Sequence, residues 1–173
     1  DLFSDNVPPL HIIKGTGDER LDLGQGHELQ FLPLTTPRYP DGLCTYDPQT
    51  QIAYTDKFFG AHICGDQIFD EGWTVFLEDR RYYFDCLMAP YARQVAIALD
   101  KVESLKPLAL VAPGHGPLVR YGLTELLHAY RQWGKDLEAV SIQQMLNGCS
   151  LPVAERGALM PDAHPGYGLP IGG

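Results

Sequence analysis

Three short segments of the chain carry side chains whose types could do metal or anion chemistry. Imidazole and carboxylate groups are ligands that borderline metals favour. Arg and Lys instead supply positive charge, and a guanidinium never loses its proton in a protein. The side chains concerned are Arg38 in Thr36–Leu43, Asp56, Lys57 and His62 in Tyr54–His62, and His115 in Ala112–Pro117.

The position of His115 favours a functional role. It lies between Gly114 and Gly116, directly after the apolar run Leu108–Ala112, which predicts a short buried strand. Open α/β sheets place their sites beyond the carboxyl ends of their strands. The alternative is that His115, without partner ligands, makes only local hydrogen bonds.

Composition and charge limit the class of protein. The 173 residues are 45% hydrophobic and 20% charged, which predicts one globular domain. A formal net charge of −9 without clustered basic residues argues against a nucleic-acid surface. No apolar stretch approaches the roughly 20 residues of a membrane helix. The four cysteines include no CxxC pair, so we expect reduced, mostly buried thiols in a reducing cytoplasm and no zinc site.

Strands and helices are predicted to alternate, which indicates α/β layers. The predicted strands are His27–Leu34, a hairpin of Leu43–Tyr46 with Gln51–Tyr54, Leu108–Ala112 and a candidate edge strand at Leu10–Ile13. The predicted helices are 90–105, 123–133 and 136–146, the second capped by Thr124 or the turn before it. We expect residues 62–86 to form a long loop with helical pieces.

A change of character at Gly134 predicts two parts. Residues 1–134 are predicted to form a partial α/β domain, and residues 135–173 a tail with a helix and a Gly/Pro-rich segment. The chain starts at Asp1 without Met and ends at Gly173, and we expect both ends to be cut.

Four segments, taken in order, resemble one known family. They are PRYPDGLCTYDPQT, TDKFFGAH, EDRRYYFDCLMAPYARQV and APGHGPLVRYGLTELLHAYRQW, which fall within about residues 20–133. The chain resembles the flavodiiron proteins, specifically the multidomain type of cyanobacteria and chloroplasts, within the metallo-β-lactamase superfamily. The resemblance implies an α/β, metallo-β-lactamase-like αββα sandwich of which only the carboxy-terminal half is present.

The same resemblance implies a pocket whose metal ligands have been replaced. The family holds two irons with an upstream HxExDH segment, a later histidine, a bridging aspartate and a last histidine. The upstream segment is absent here, the middle histidine falls on Arg38 and the bridging aspartate on Lys57. Only the last histidine is retained, as His115, a vestigial metal position. An alternative alignment makes Asp56 the bridging ligand, but a one-residue slip in a strand reverses the face of every side chain.

These replacements predict that metal and bases do not share the pocket. An ammonium about 4 Å from a divalent cation costs roughly 8 kcal/mol at an effective dielectric constant near 20. We therefore expect Arg38 and Lys57 to fill the cation volume themselves, or to attract an anion or ordered water.

The remaining candidate residues are expected to be structural. His62 resembles a family histidine near the active site that is not a principal ligand, so we expect it to support the site or to pack in the core. Tyr82-Tyr83-Phe84 predicts core or interface packing more than a flavin stack. The acidic residues of the long loop predict a solvated surface rather than a catalytic dyad; they are Asp66, Asp70, Glu71, Glu78 and Asp79.

The end of the chain resembles a second family. The segment ALMPDAHPGYGLPIGG is similar to the early part of the RtcB RNA-splicing ligases, whose manganese ligands come after this motif. Nothing catalytic carries over, so Asp162 and His164 are not assigned as ligands. The alternative is a Gly/Pro-rich loop without function.

Three functions remain open from the sequence. The first is a partial module of a non-canonical flavodiiron protein, inactive alone, in a family that passes electrons from NAD(P)H through FMN to dioxygen and forms water as a photoprotective sink. The resemblance implies di-iron and FMN in canonical members, no cofactor in this chain, a homo- or hetero-oligomer with a canonical flavodiiron subunit, and the cyanobacterial cytosol or chloroplast stroma. The second is a zinc hydrolase of the same fold, and the third is a non-catalytic interaction module.

Overall fold

The structure, a computed structural model, describes residues 19–152 and 157–158. Five strands form one mixed sheet in the order β1-β2-β3-β4-β5, in which the first four pair antiparallel and β5 joins β4 in parallel. The strands are β1 (Arg20–Gly24), β2 (His27–Pro33), β3 (Leu43–Asp47), β4 (Ile52–Asp56) and β5 (Leu110–Pro113). The helices are α1 (Leu77–Leu87), α2 (Ala92–Ser104) and α3 (Leu123–Cys149), with 3-10 turns at Trp73–Phe76 and Ala89–Tyr91.

The predicted α/β layering is confirmed. β2, the β3–β4 hairpin, β5 and α2 lie close to the ranges that the periodicity predicts. The strand β1 was not predicted, because its mixed sequence RLDLG has no long alternation and it forms by pairing with β2. The candidate edge strand at 10–13 and the Gly/Pro-rich segment lie outside the described residues.

The predicted break at Gly134 is wrong, because one continuous helix, α3, runs through it. Glycine inside a helix costs about 1 kcal/mol relative to alanine, which packing can offset. A Cβ built at Gly134 would lie 3.9 Å from the Ala92 Cβ, an ordinary van der Waals contact, so Gly134 faces the start of α2. The division into a domain and a tail at this residue stays a prediction.

The helical pieces expected in residues 62–86 are present, as a 3-10 turn followed by α1. The expectation for the cysteines needs correction. All four cysteines are free thiols, but Cys44 alone is buried, whereas Cys64, Cys86 and Cys149 are exposed. The expectation of mostly buried thiols is therefore wrong, since three of them lie on loop or helix surfaces.

The core lies between one face of the sheet and the helices. Side chains alternate along a strand, and here Cys44, Ala53 and Val111 point to the helix side, where they join a large buried cluster. The opposite face carries Tyr54, which is 48% exposed. Within the described ranges, no helix combines the length and apolar character that crossing a membrane requires.

Asp70 is the main correction to the expected acidic surface. The other four acidic residues of that group are exposed, but Asp70 is 1% exposed. Its carboxylate accepts hydrogen bonds from three backbone N–H groups at the start of α3, those of Arg120 (2.8 Å), Tyr121 (2.9 Å) and Gly122 (3.1 Å). Asp70 therefore fixes the turn that leads into α3 from a distant loop, and Thr124 lies inside the helix instead of capping it.

We predict that Asp70→Ala destabilises the fold by about 2–4 kcal/mol, because it leaves buried N–H groups without their charged acceptor. The matched control is Asp66→Ala, an exposed carboxylate in the same loop, for which we expect a change within about 0.5 kcal/mol. Urea denaturation followed by circular dichroism measures both values. Equal stability of the two variants would contradict the role of Asp70 in fixing the turn before α3.

A second buried carboxylate, Asp47, closes the turn of the β3–β4 hairpin. It accepts hydrogen bonds from the Gln49 N–H and the Thr50 hydroxyl, both at 2.9 Å, and lies 3.2 Å from His27 Nδ1. Burial by itself would raise the pKa of the Asp47 carboxyl, but the hydrogen bonds from Thr50, Gln49 and His27 outweigh it and lower that pKa.

We predict a pH-dependent contribution to stability from Asp47. Because its folded pKa is lowered, the contribution is fully present above the unfolded pKa of about 3.9. It is lost as the pH falls through the lower folded value. The stability difference between the wild type and Asp47→Asn should therefore shrink as denaturation curves are recorded from about pH 6 down to about pH 2. Asp41→Asn, at an exposed position, is the control, and a pH-independent difference for Asp47→Asn would refute the prediction.

Candidate functional site: a pocket between two loops

Parallel pairing of β4 and β5 brings the predicted site residues together. We call Asp56–His62 the first pocket loop and Pro113–Pro117 the second pocket loop; each follows one of these two strands. The Gly114 N–H donates to the Asp56 carbonyl (2.7 Å), and the Ala61 N–H donates to the His115 carbonyl (3.1 Å). The position of His115 beyond the carboxyl end of a strand agrees with the sequence prediction.

The first pocket loop has a strained backbone. Asp56 and Phe59 have φ values of 48° and 66°, in the left-handed region that costs most residues other than glycine about 1–2 kcal/mol. The Thr55 hydroxyl donates to the Phe58 carbonyl at 2.9 Å, and the Phe59 N–H donates to Tyr130 Oη at 3.0 Å. Such a conformation persists only when the surrounding structure fixes it, and these buried contacts do so.

A buried arginine joins the two loops. Arg80 in α1 is 3% exposed, and its guanidinium donates to the Phe59 carbonyl and, at 3.3 Å, to the Pro117 carbonyl. One side chain therefore contacts both pocket loops. Burial lowers the pKa of Arg80, and the neighbouring Tyr130 and Asp70 act in the opposite direction.

His62 and His115 lie next to each other at the mouth of the pocket. Their ring centroids are 5.4 Å apart and nearly perpendicular. The other neighbour of His62 is Tyr83, with ring centroids 4.9 Å apart and an edge-on geometry. Both histidines are exposed, so core packing, one of the two roles expected for His62, is wrong. The vestigial role of His115 stays a prediction.

Lys57 is partly neutralised by its neighbour in sequence. The Lys57 ammonium lies 3.3 Å from Asp56 Oδ1, with side chains that are 32% and 53% exposed, respectively. The carboxylate that the alternative alignment makes a bridging ligand is thus engaged by a cation.

Arg38 lies beside Tyr39 and the end of α1. Its guanidinium is 5.7 Å from the Tyr39 ring centroid and 3.5 Å from the Cys86 carbonyl, and the residue is exposed. In the part of the chain that the structure describes, no hydrogen bond joins it to Lys57 or to either histidine. Whether Arg38 and Lys57 fill the former cation volume stays a prediction.

Tyr83 lies near His62, Tyr39 and Asp56. It is 1% exposed, and burial, Tyr39 and Asp56 together raise the pKa of its hydroxyl to about 12. Its Oη is buried and makes no hydrogen bond with the described residues. The core location predicted for Tyr83 and Phe84 is confirmed, whereas Tyr82 is 69% exposed.

The donor set of this pocket does not fit a di-iron centre. Among the described residues, no three His, Cys, Asp or Glu side chains are grouped so that they could hold a metal ion. The two adjacent histidines lack a third ligand, and the nearby carboxylate of Asp56 faces an ammonium.

Sequence reasoning missed Arg80 and Tyr130, the residues that hold the first pocket loop. The sequence did contain a signal for the burial of Arg80, because Phe76, Arg80, Tyr83 and Phe84 follow the i, i+4, i+7, i+8 spacing of a buried helix face. An arginine on that face needs buried acceptors, and the two loop carbonyls supply them.

We predict that Tyr83→Phe keeps or raises stability, by up to about 1 kcal/mol, because it removes a buried hydroxyl that has no acceptor among the described residues. Tyr130→Phe is the matched change, since its Oη accepts from the Phe59 N–H; we expect it to cost about 1–3 kcal/mol. Thermal and urea unfolding measure both. A marked loss of stability in Tyr83→Phe would show that the hydroxyl has a partner.

Comparison of the sequence with known proteins identifies relatives of the chain. No family model matches the chain. Over 128 residues, 74% of this chain, it is 66% identical to diflavin flavoprotein A 6 of Nostoc sp., and the match covers 22% of that protein. The chain therefore spans about a fifth of the length of the curated relatives it matches.

Solved structures agree as well. The metal-soaked flavodiiron core of a Synechocystis sp. protein is 62% identical, with a TM-score of 0.70 over 72% of this chain and 31% of that one. The rubredoxin oxygen:oxidoreductase of Desulfovibrio gigas is 20% identical, with a TM-score of 0.64 over 69% of this chain and 31% of that one, so it shares the fold. The α/β fold is thus of the metallo-β-lactamase-like type, and the chain belongs to the flavodiiron family of diflavin flavoproteins.

Proposed function

We propose that this chain is the metallo-β-lactamase-like module of a non-canonical flavodiiron protein and that it is catalytically inactive alone. The whole protein would take part in NAD(P)H-dependent reduction of dioxygen to water, a photoprotective electron sink. Support for the reaction class comes from family membership and from the D. gigas protein of the same fold, which is named an oxygen:oxidoreductase.

One observation carries the proposal. Beside the retained His115, the position expected for a bridging aspartate is Lys57, whose ammonium is 3.3 Å from the Asp56 carboxylate. A cation held by the nearest carboxylate opposes a divalent ion both by repulsion and by occupying the ligand. The pocket therefore favours a role in which this module accompanies iron chemistry performed elsewhere.

The proposal extends to partners and location. A canonical flavodiiron subunit would supply the di-iron centre, and FMN would be bound outside the described residues. The assembly would lie in the cyanobacterial cytosol or the chloroplast stroma, as the resemblance to that family type implies.

Two other functions are weaker. A zinc hydrolase of this fold needs several His and Asp ligands around a zinc-bound hydroxide, and the pocket groups fewer than three donors among the described residues. A non-catalytic interaction module remains compatible with the same pocket. Stoichiometric zinc with esterase activity would favour the hydrolase, whereas failure to bind a canonical subunit would favour the interaction module.

We predict that the purified chain retains well below one metal per molecule after anaerobic incubation with ferrous iron or zinc and desalting. With a chemical reductant and free FMN, it should add no dioxygen consumption to that of the same mixture without protein. Elemental analysis and an oxygen electrode measure the two results. Two irons per chain, or sustained oxygen uptake above the protein-free mixture, would overturn the proposal.

The double variant Arg38→Gln/Lys57→Gln tests the charge argument directly. Removing even part of the repulsion, about 1.4 kcal/mol, raises the affinity for a divalent ion about tenfold. Lys135→Gln, an exposed position on α3, is the control and should leave the affinity unchanged. Equal metal affinities for all three proteins would show that the bases are not what keeps metal out.

A further inference from the structure

We infer that Arg80 is the positioning residue of the pocket, which holds the two pocket loops at the separation that brings His62 against His115. The inference rests on the proposed function only in taking this pocket as the site of that function.

Arg80 connects the two pocket loops. The Arg80 guanidinium reaches the Phe59 carbonyl in the first pocket loop and the Pro117 carbonyl in the second. Phe59 is two residues after Lys57 and three before His62, and Pro117 is two residues after His115. Displacement of this guanidinium would therefore move every pocket side chain except Arg38.

The backbone that Arg80 contacts at Phe59 needs support from outside its own loop. Phe59 has a φ of 66° without being glycine, a conformation that persists only where neighbours determine it. Both of its peptide groups are held from outside the loop, the N–H by Tyr130 Oη and the carbonyl by Arg80. Loss of the carbonyl contact would let the loop relax and turn Lys57 and His62 away from the pocket.

The positive charge of Arg80 also couples the positions of the two loops. No ion pair of Arg80 with a carboxylate occurs among the described residues, and Asp70, which binds the turn before α3, acts on it only as a neighbouring charge. The guanidinium donates hydrogen bonds to backbone carbonyls of the two loops, so the free energy of burying it depends on the positions of those loops. A buried charge whose acceptors move away is strongly destabilised, which couples the position of one loop to that of the other.

The chemistry of the guanidinium explains why an arginine is needed. Its planar fork presents donors in fixed directions, so two acceptors on different loops can be held at once. A lysine ammonium is a single point on a flexible stem and does not fix the distance between them.

The test uses ring contacts in the full chain, measured by NMR on isotope-labelled protein. In the wild type, nuclear Overhauser effects should join the His62 ring to the rings of His115 and Tyr83, as the short ring distances require. In Arg80→Lys both effects should vanish while the chain keeps cooperative unfolding. Arg81→Lys is the matched control, because Arg81 pairs with Asp85 on the surface of the same helix; both effects should persist there.

A second variant covers the case in which a buried ammonium prevents folding. Arg80→Met removes the charge together with the donors, and replacing a buried charged group by an apolar one of similar volume is often tolerated. We expect it to fold and to lose the same ring contacts. Wild-type contacts in a folded Arg80→Met would overturn the inference, and so would unfolding of both variants, since Arg80 would then serve the core instead of the pocket. Neither result touches the proposed function, which metal content and oxygen uptake test separately.

Discussion

Parallel pairing of β4 with β5 is the constraint on which the pocket depends. Asp56 pairs with Pro113 at the end of that ladder, so both strands release their loops at the same edge of the sheet. The loops are then joined by backbone hydrogen bonds and by the buried guanidinium of Arg80. Residues far apart in sequence become neighbours because of main-chain pairing, before any contact between their side chains.

The electrostatics of the pocket follow from which side chains this edge collects. An ammonium beside a carboxylate forms a half-exposed pair that water screens, so the pair contributes little to stability. Its importance is chemical, because the carboxylate is no longer a free ligand and the ammonium repels a second cation. Among the described residues, no group of three His, Cys, Asp or Glu side chains forms around the two adjacent histidines.

Much of the layering follows from local sequence patterns. The hairpin around Asp47, the strand before His115 and the helix α2 are encoded by alternation, by an Asp-Pro turn and by helical periodicity. These signals involve residues close in sequence, so they can be recognised without knowing the fold.

Other features depend on partners that a local pattern does not reveal. Asp70 resembles a surface acid until the start of α3 is seen to lie against it, and Arg80 resembles a surface base until two loop carbonyls are seen around it. Gly134 is a helix breaker by propensity, but it is accommodated where two helices pack closely. In each case tertiary contact overrides the local preference.

The residues that hold the pocket loops are different from the side chains that line the pocket. The residues that fix the loops, Arg80 and Tyr130, are buried, whereas Lys57, His62 and His115 are partly or largely exposed. Buried contacts among the described residues hold the loop backbone. Substitution of an exposed pocket side chain should therefore change the chemistry of the pocket while the loop backbone and the fold stay in place.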